Sequence, residues 1–147
     1  MLRTLIFSLL LAITPLASAQ VQTEPTRFGD LLVYHTVFNS SYLQPEVAAN
    51  AGLERGPNQG VVNILVQRRT SEGPVPVDAN VRGTVKNLLD QDQSLNFIKV
   101  EEEDAIYYVA NYSAGQRGML RFEVTVQAGD GEPEHTLRFQ QEFHPDA

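Results

Sequence analysis

The chain contains no cysteine and no tryptophan. Without thiolates there can be no disulfide framework, no cysteine-ligated zinc, no blue-copper centre and no thiol nucleophile. A domain without disulfides has to be held by burial and sheet hydrogen bonding alone. Positive charge is also scarce: 11 Lys and Arg stand against 18 Asp and Glu, a formal net charge of −7 over 147 residues. Nucleic acid and anionic lipid both select clustered Lys and Arg, so this balance points away from either as a partner. Long apolar runs are limited to one, Thr4–Leu16 at the N-terminus.

That run has the makings of an export signal. Arg3 gives it a positive flank, and Ala17-Ser18-Ala19 supplies the small-x-small pattern after which a signal peptidase cleaves. A spanning helix needs about 20 apolar residues, and the chain turns polar at Gln20. The expectation is a signal peptide over 1–19 cleaved after Ala19, a periplasmic location, and no stable membrane anchor after cleavage. A flexible lead-in over 20–27 precedes a single domain over 28–143 and a tail over 144–147. Loss of Arg3 from the 11 basic residues leaves 10 against 18 acidic ones, a formal charge of −8.

The mature chain alternates apolar and polar residues between turns rich in Gly, Pro, Asn and Asp, the spacing of an all-β domain. Strands are expected near 28–38, 61–69, 77–85, 95–100, 105–112, 119–127 and 135–143. In the strand over 119–127, Leu120, Phe122, Val124 and Val126 share one face and Arg121, Glu123 and Thr125 the other. Pro45–Ala51 is the one helical segment: Pro45 suits a first helical position, Glu46 the first turn, and Gly52 a left-handed stop.

Leu95–Ala110 carries an immunoglobulin-like spacing. Leu95, Phe97, Val100, Asp104 and Tyr108 fall in register, with Ala110 where antibody-type domains have cysteine. The fold expected is an immunoglobulin/fibronectin-like β-sandwich of about 7–8 strands with one short helix. Asp104 and Tyr108 form its tyrosine corner, with the Tyr108 hydroxyl on main chain around Glu102–Asp104 and Tyr107 facing outward.

Chemistry-bearing motifs are sparse. His35 and His135 would be neighbours if the first and last strands meet, which makes them candidates for a zinc or copper site; no HxH or HExxH spacing accompanies them. Glu101–Asp104, Asp90-Gln91-Asp92 and Asp130-Gly131-Glu132 lack the oxygen series of a calcium loop and read as turns. No serine sits in GxSxG or SxxK, and no glycine-rich phosphate loop occurs. No catalytic residue and no cofactor is expected.

Phe28-Gly29-Asp30, the stretch Phe38-Asn39-Ser40-Ser41-Tyr42-Leu43-Gln44-Pro45-Glu46-Val47-Ala48, Gly83-Thr84-Val85-Lys86-Asn87-Leu88 and Asp104-Ala105-Ile106-Tyr107-Tyr108 resemble a family of small exported proteins of Gram-negative bacteria. This is the DUF4426-type domain of unknown function. The resemblance runs over roughly Phe28 to Phe143 and is most specific across Phe38–Ala48. It implies a periplasmic location and brings no catalytic or ligand residues with it. The first functional reading is a non-enzymatic binding or accessory module for a periplasmic protein partner, contacted by Asn39, Tyr42, Leu43 and Glu46 on the long segment Asn39–Ala51. That segment also reads as a plug for one end of the core. A metal- or small-ligand-binding protein is the alternative, and a hydrolase the third.

Overall fold

The computed structural model describes residues 24–146, so the expected signal sequence and residues 20–23 of the lead-in lie outside the described residues. Period-2 alternation resolves into ten strands: β1 (Thr26–Phe28), β2 (Leu31–Asn39), β3 (Gln59–Thr70), β4 (Gly73–Pro76), β5 (Asn80–Lys86), β6 (Asp92–Leu95), β7 (Ile98–Glu101), β8 (Ile106–Ser113), β9 (Gly118–Gln127) and β10 (Glu134–Phe143). A 3-10 turn (Ser40–Tyr42) and helix α1 (Pro45–Ala51) lie between β2 and β3. α1 has the expected bounds. Pro45 opens it, and Gly52 ends it at φ 70°, a left-handed conformation that costs glycine little.

The strands form two sheets with antiparallel pairing throughout. One has the order β1-β2-β3-β8-β7, with β4 on the far end of β3; the other has the order β10-β9-β5-β6. Taking β2, β3, β5, β6, β7, β8, β9 and β10 as A, B, C, C′, D, E, F and G reproduces the ABED and GFC arrangement of immunoglobulin-like sandwiches. Their inner faces supply the core: Val33 from β2, Val62, Ile64 and Val66 from β3, Tyr108, Ala110 and Tyr112 from β8, and Leu120, Phe122, Val124 and Val126 from β9. The expected parity of β8 and β9 is therefore the observed one. Gly60 lies beneath the Tyr112 ring, which occupies the space a Cβ at position 60 would need.

The corner itself differs from the expectation. Tyr108 is buried, but its hydroxyl accepts the Ala79 N–H at 2.7 Å and donates to Asp78 Oδ1 at 3.1 Å. It makes no bond near Glu102–Asp104, and Asp104 is exposed. The reason is topological. β8 takes the place of strand E, beside β3, whereas a tyrosine corner opens strand F. Ala110 lies opposite Val62 in the same sheet, so it does not occupy the cross-sheet cysteine place. Tyr108 instead ties β8 to the connection that carries the chain from β4 into the other sheet at β5. Lys99 Nζ joins this cluster, 3.0 Å from Asp78 and 2.9 Å from Glu101. Hydrogen bonds to Lys99 and Tyr108 hold the Asp78 carboxyl below its ordinary range.

Candidate functional site

The registers bring several loops to one end of the sandwich. Asn39, Gly60 and Tyr112 lie together at one end of the first sheet, and Lys86, Arg121 and Asp92 at one end of the second. The two ends coincide. The Gln93 carboxamide on β6 donates to Ser113 O at 2.7 Å and accepts the Ser113 N–H at 2.8 Å, a two-bond clasp between sheets. This end is capped by the 3-10 turn and α1, by the β5–β6 turn, and by the β8–β9 loop.

The loop from Asn39 to Gly60 is pinned at several points. Ser40 is fully buried; its Oγ donates to Gly56 O and accepts the Gly56 N–H, both at 3.0 Å. The Asn111 side chain accepts from the Glu54 N–H at 2.7 Å and donates to Glu54 O at 3.0 Å. Asn39 Nδ2 donates to His144 O at 2.7 Å and to Asp146 Oδ1 at 3.1 Å, tying the C-terminal tail to the end of β2. The β5–β6 turn is equally fixed: Asn87 Oδ1 accepts from the Leu89 and Gln91 N–H groups at 2.9 and 3.0 Å.

On these fixed loops, large apolar side chains face solvent. Tyr42 is 80% exposed and Val47 50%; on the β5–β6 turn Leu88 is 68% and Leu89 80% exposed. Among the described residues they are four of the six exposed large apolar side chains, and a fifth, Ile98, neighbours the end of α1 at Gly52. Leu88, Leu89, Met119 and Arg117 also line a hollow of about 450 Å³ between the β5–β6 turn and the β8–β9 loop. Arg117 is spanned by Glu142 at 3.1 Å and Arg121 by Asp90 at 3.0 Å. This end therefore presents exposed apolar tips on hydrogen-bonded loops, a hollow and a rim of paired charge.

Of the residues singled out in the sequence, Asn39 and Leu43 have structural surroundings, Asn39 as the tail clamp and Leu43 half-buried, while Tyr42 and Glu46 are exposed. Leu88 and Leu89 were not anticipated. Their signal is two leucines inside an Asn87…Asp90 turn, where apolar side chains have no sheet face to join.

The two histidines do reach one seam, the open side where β1 and β2 meet β10, but they do not converge on a ligand. His35 stacks on Phe139 at 3.9 Å between centroids and His135 on Phe28 at 4.5 Å, and Phe139 stacks on Phe122 at 5.0 Å. Burial lowers the His35 pKa, and its Nδ1 is buried without a hydrogen-bond partner. Among the described residues, no three His, Asp or Glu side chains are grouped to hold a metal ion. No described helix is long and apolar enough to cross a membrane.

Relatives place this architecture. The crystal structure of a DUF4426 family protein from Pseudomonas aeruginosa is 43% identical, covering 84% of this chain and 96% of its own, with a TM-score of 0.74. FetP of uropathogenic Escherichia coli, recombinantly expressed in the periplasm, shares 11% identity over 84% of this chain and 95% of its own at a TM-score of 0.60. A copper-bound FetP variant gives 11%, 83%, 95% and 0.60. At that identity the likeness is one of fold alone. No protein of curated function matches the chain. The family model for DUF4426, a domain of unknown function, covers residues 25–146, and the chain belongs to that family.

Proposed function

We propose that the protein is a non-enzymatic periplasmic binding module that engages a protein partner through the end of the sandwich carrying Tyr42, Val47, Leu88 and Leu89. The observation that carries this reading is that solvent-facing apolar residues collect on two hydrogen-bonded loops at one end. Exposed apolar clusters on rigid elements mark interaction sites in soluble proteins. Ser40, Asn39 and Asn87 make the loops stiff before contact, which reduces the ordering entropy that binding would otherwise cost. The N-terminal export pattern supports the location, and a fold neighbour, FetP, was expressed in the periplasm.

The test is site-specific photocrosslinking in the native host. A photoreactive residue at Tyr42 or Leu89 is expected to give one discrete adduct, and the same residue at Glu72, at the opposite end of the first sheet, none. Adducts that are absent, or equal at all three sites, would overturn the reading. Metal binding is the rival, favoured by the copper-bound fold neighbour and the unpartnered His35 Nδ1. Calorimetric titration with copper and zinc separates the two. Stoichiometric heat abolished by His35→Phe would favour the metal, and its absence leaves the contact surface as the working site.

A further inference from the structure

β10 pairs with β9 along all ten of its residues, one to one from Glu134↔Gln127 to Phe143↔Gly118, and no described strand lies on its other side. The other strands at the ends of the two sheets are short: β6 and β7 have four residues each and β1 three. Exposed edges are usually blunted by shortness, lysine, proline or a bulge. β10 is long, unbulged and free of lysine and proline, and its charges are of both signs. The Asn39 clamp on His144 and Asp146 holds the tail at the end of β2 rather than back along the β10 edge. Its outward face reads Glu134, Thr136, Arg138, Gln140, Glu142, with charges of alternating sign at four-residue intervals.

That alternation suits one occupant. When a strand pairs antiparallel with its own copy about a twofold axis, one residue stands opposite itself. With Gln140 on the axis, each Arg138 faces a Glu142 of the second copy, Leu137 faces Phe143, and Phe139 faces Gln141. The ladder then runs over Leu137–Phe143 with two ion pairs. With Arg138 on the axis, Arg would face Arg and Glu134 would face Glu142, and like charges directly opposite are unfavourable. With Thr136 on the axis, Glu134 faces Arg138, but the ladder shrinks to Glu134–Arg138. We propose that two copies join edge to edge through β10 about Gln140, making one continuous eight-stranded sheet with the apolar loop ends at opposite poles.

The absence of cysteine makes the test direct, because one introduced thiol is the only thiol. Gln140 is exposed, so Gln140→Cys leaves the core intact. On the axis its two Cα atoms are about 4.5–5.5 Å apart, within disulfide reach. An Arg138→Cys pair, offset four residues in this register, lies about 13 Å apart along the strands. Under mild oxidation of the purified protein, Gln140→Cys is expected to become mostly covalent dimer, with Arg138→Cys and Thr136→Cys essentially uncrosslinked. Sedimentation should show a dimer for the unmodified chain, a monomer for Arg138→Glu, and recovery of the dimer for Arg138→Glu combined with Glu142→Arg, with a modest fall in Tm because within each chain Arg138 also pairs with Glu123 at 3.3 Å and Glu142 with Arg117 at 3.1 Å. A monomeric unmodified chain, faster crosslinking at Thr136→Cys, or no recovery in the charge swap would overturn the proposal.

Discussion

Replacing Tyr108 by phenylalanine keeps the buried ring and removes one oxygen that serves two partners. The Ala79 N–H donates to it at 2.7 Å on a half-buried segment, and it donates in turn to Asp78 Oδ1 at 3.1 Å. These losses are unequal. The Asp78 carboxylate is 73% exposed and keeps Lys99 at 3.0 Å, so water and the ammonium replace the phenol there. The Ala79 N–H keeps only the weaker contact with the neighbouring Asp78 carboxylate, the smallest of the influences on that group, and an under-satisfied half-buried donor costs about 1–2 kcal/mol. For a domain of this size that corresponds to a fall in Tm of about 3–8 °C. Thermal unfolding followed by circular dichroism at neutral pH measures it. Asp78→Ala, which removes only the exposed acceptor, should cost clearly less than Tyr108→Phe. Tyr107→Phe, on the outer face, should be nearly silent. If Asp78→Ala matches Tyr108→Phe, the carboxylate rather than the Ala79 amide is what the phenol holds. If Tyr107→Phe is the costliest of the three, the inward parity of β8 is wrong by one residue and Tyr112 and Ala110 turn outward with it.

Burial lowers the folded-state pKa of His35 below the ordinary histidine value of 6.5, so the unfolded chain takes up that proton first; stability should be fully present above that value and fall as pH drops through it. His35→Phe should flatten the Tm-against-pH curve in that window, leaving only the more acidic loss from carboxylates such as Asp78 and Glu134, whose pKa values are also lowered. Gly60→Ala places a methyl where the Tyr112 ring lies and should destabilise by about 1–3 kcal/mol in denaturant unfolding; pairing it with Tyr112→Leu should recover part of that loss. Ser40→Ala strands the Gly56 N–H and should cost about 1–3 kcal/mol while raising amide exchange across 53–60. Tyr42→Ala and Leu89→Ser, at largely exposed positions, should leave Tm unchanged.

What the sequence made legible was local chemistry. Pro45 and Gly52 act within their own helix, through a fixed φ at one end and a positive φ of 70° at the other, so α1 could be bounded without knowing its neighbours. Parity was equally readable: once Tyr108, Ala110 and Tyr112 share a face, burying one buries all three. The failures are all questions of which strand lies beside which. The same spacing of Leu95, Phe97, Asp104 and Tyr108 fits the entry to strand E as well as strand F, and only pairing with β3 rather than β5 decides between them. The Tyr108 hydroxyl then finds Asp78 and Ala79, about thirty residues away in the chain, a distance no spacing rule covers. The sequence left open whether the strands of His35 and His135 meet; they reach one seam, but whether such residues ligate or stack turns on the side chains between them, here Phe28 and Phe139. Leu88 and Leu89 escaped notice for the opposite reason. Alternation marks residues that bury, and an apolar side chain left in solvent by a well-capped turn has no period to betray it. That makes exposure at the capped loops, and the free edge of β10, the two features for which coordinates add most to the sequence, and both concern surfaces where another chain would have to supply the missing neighbour.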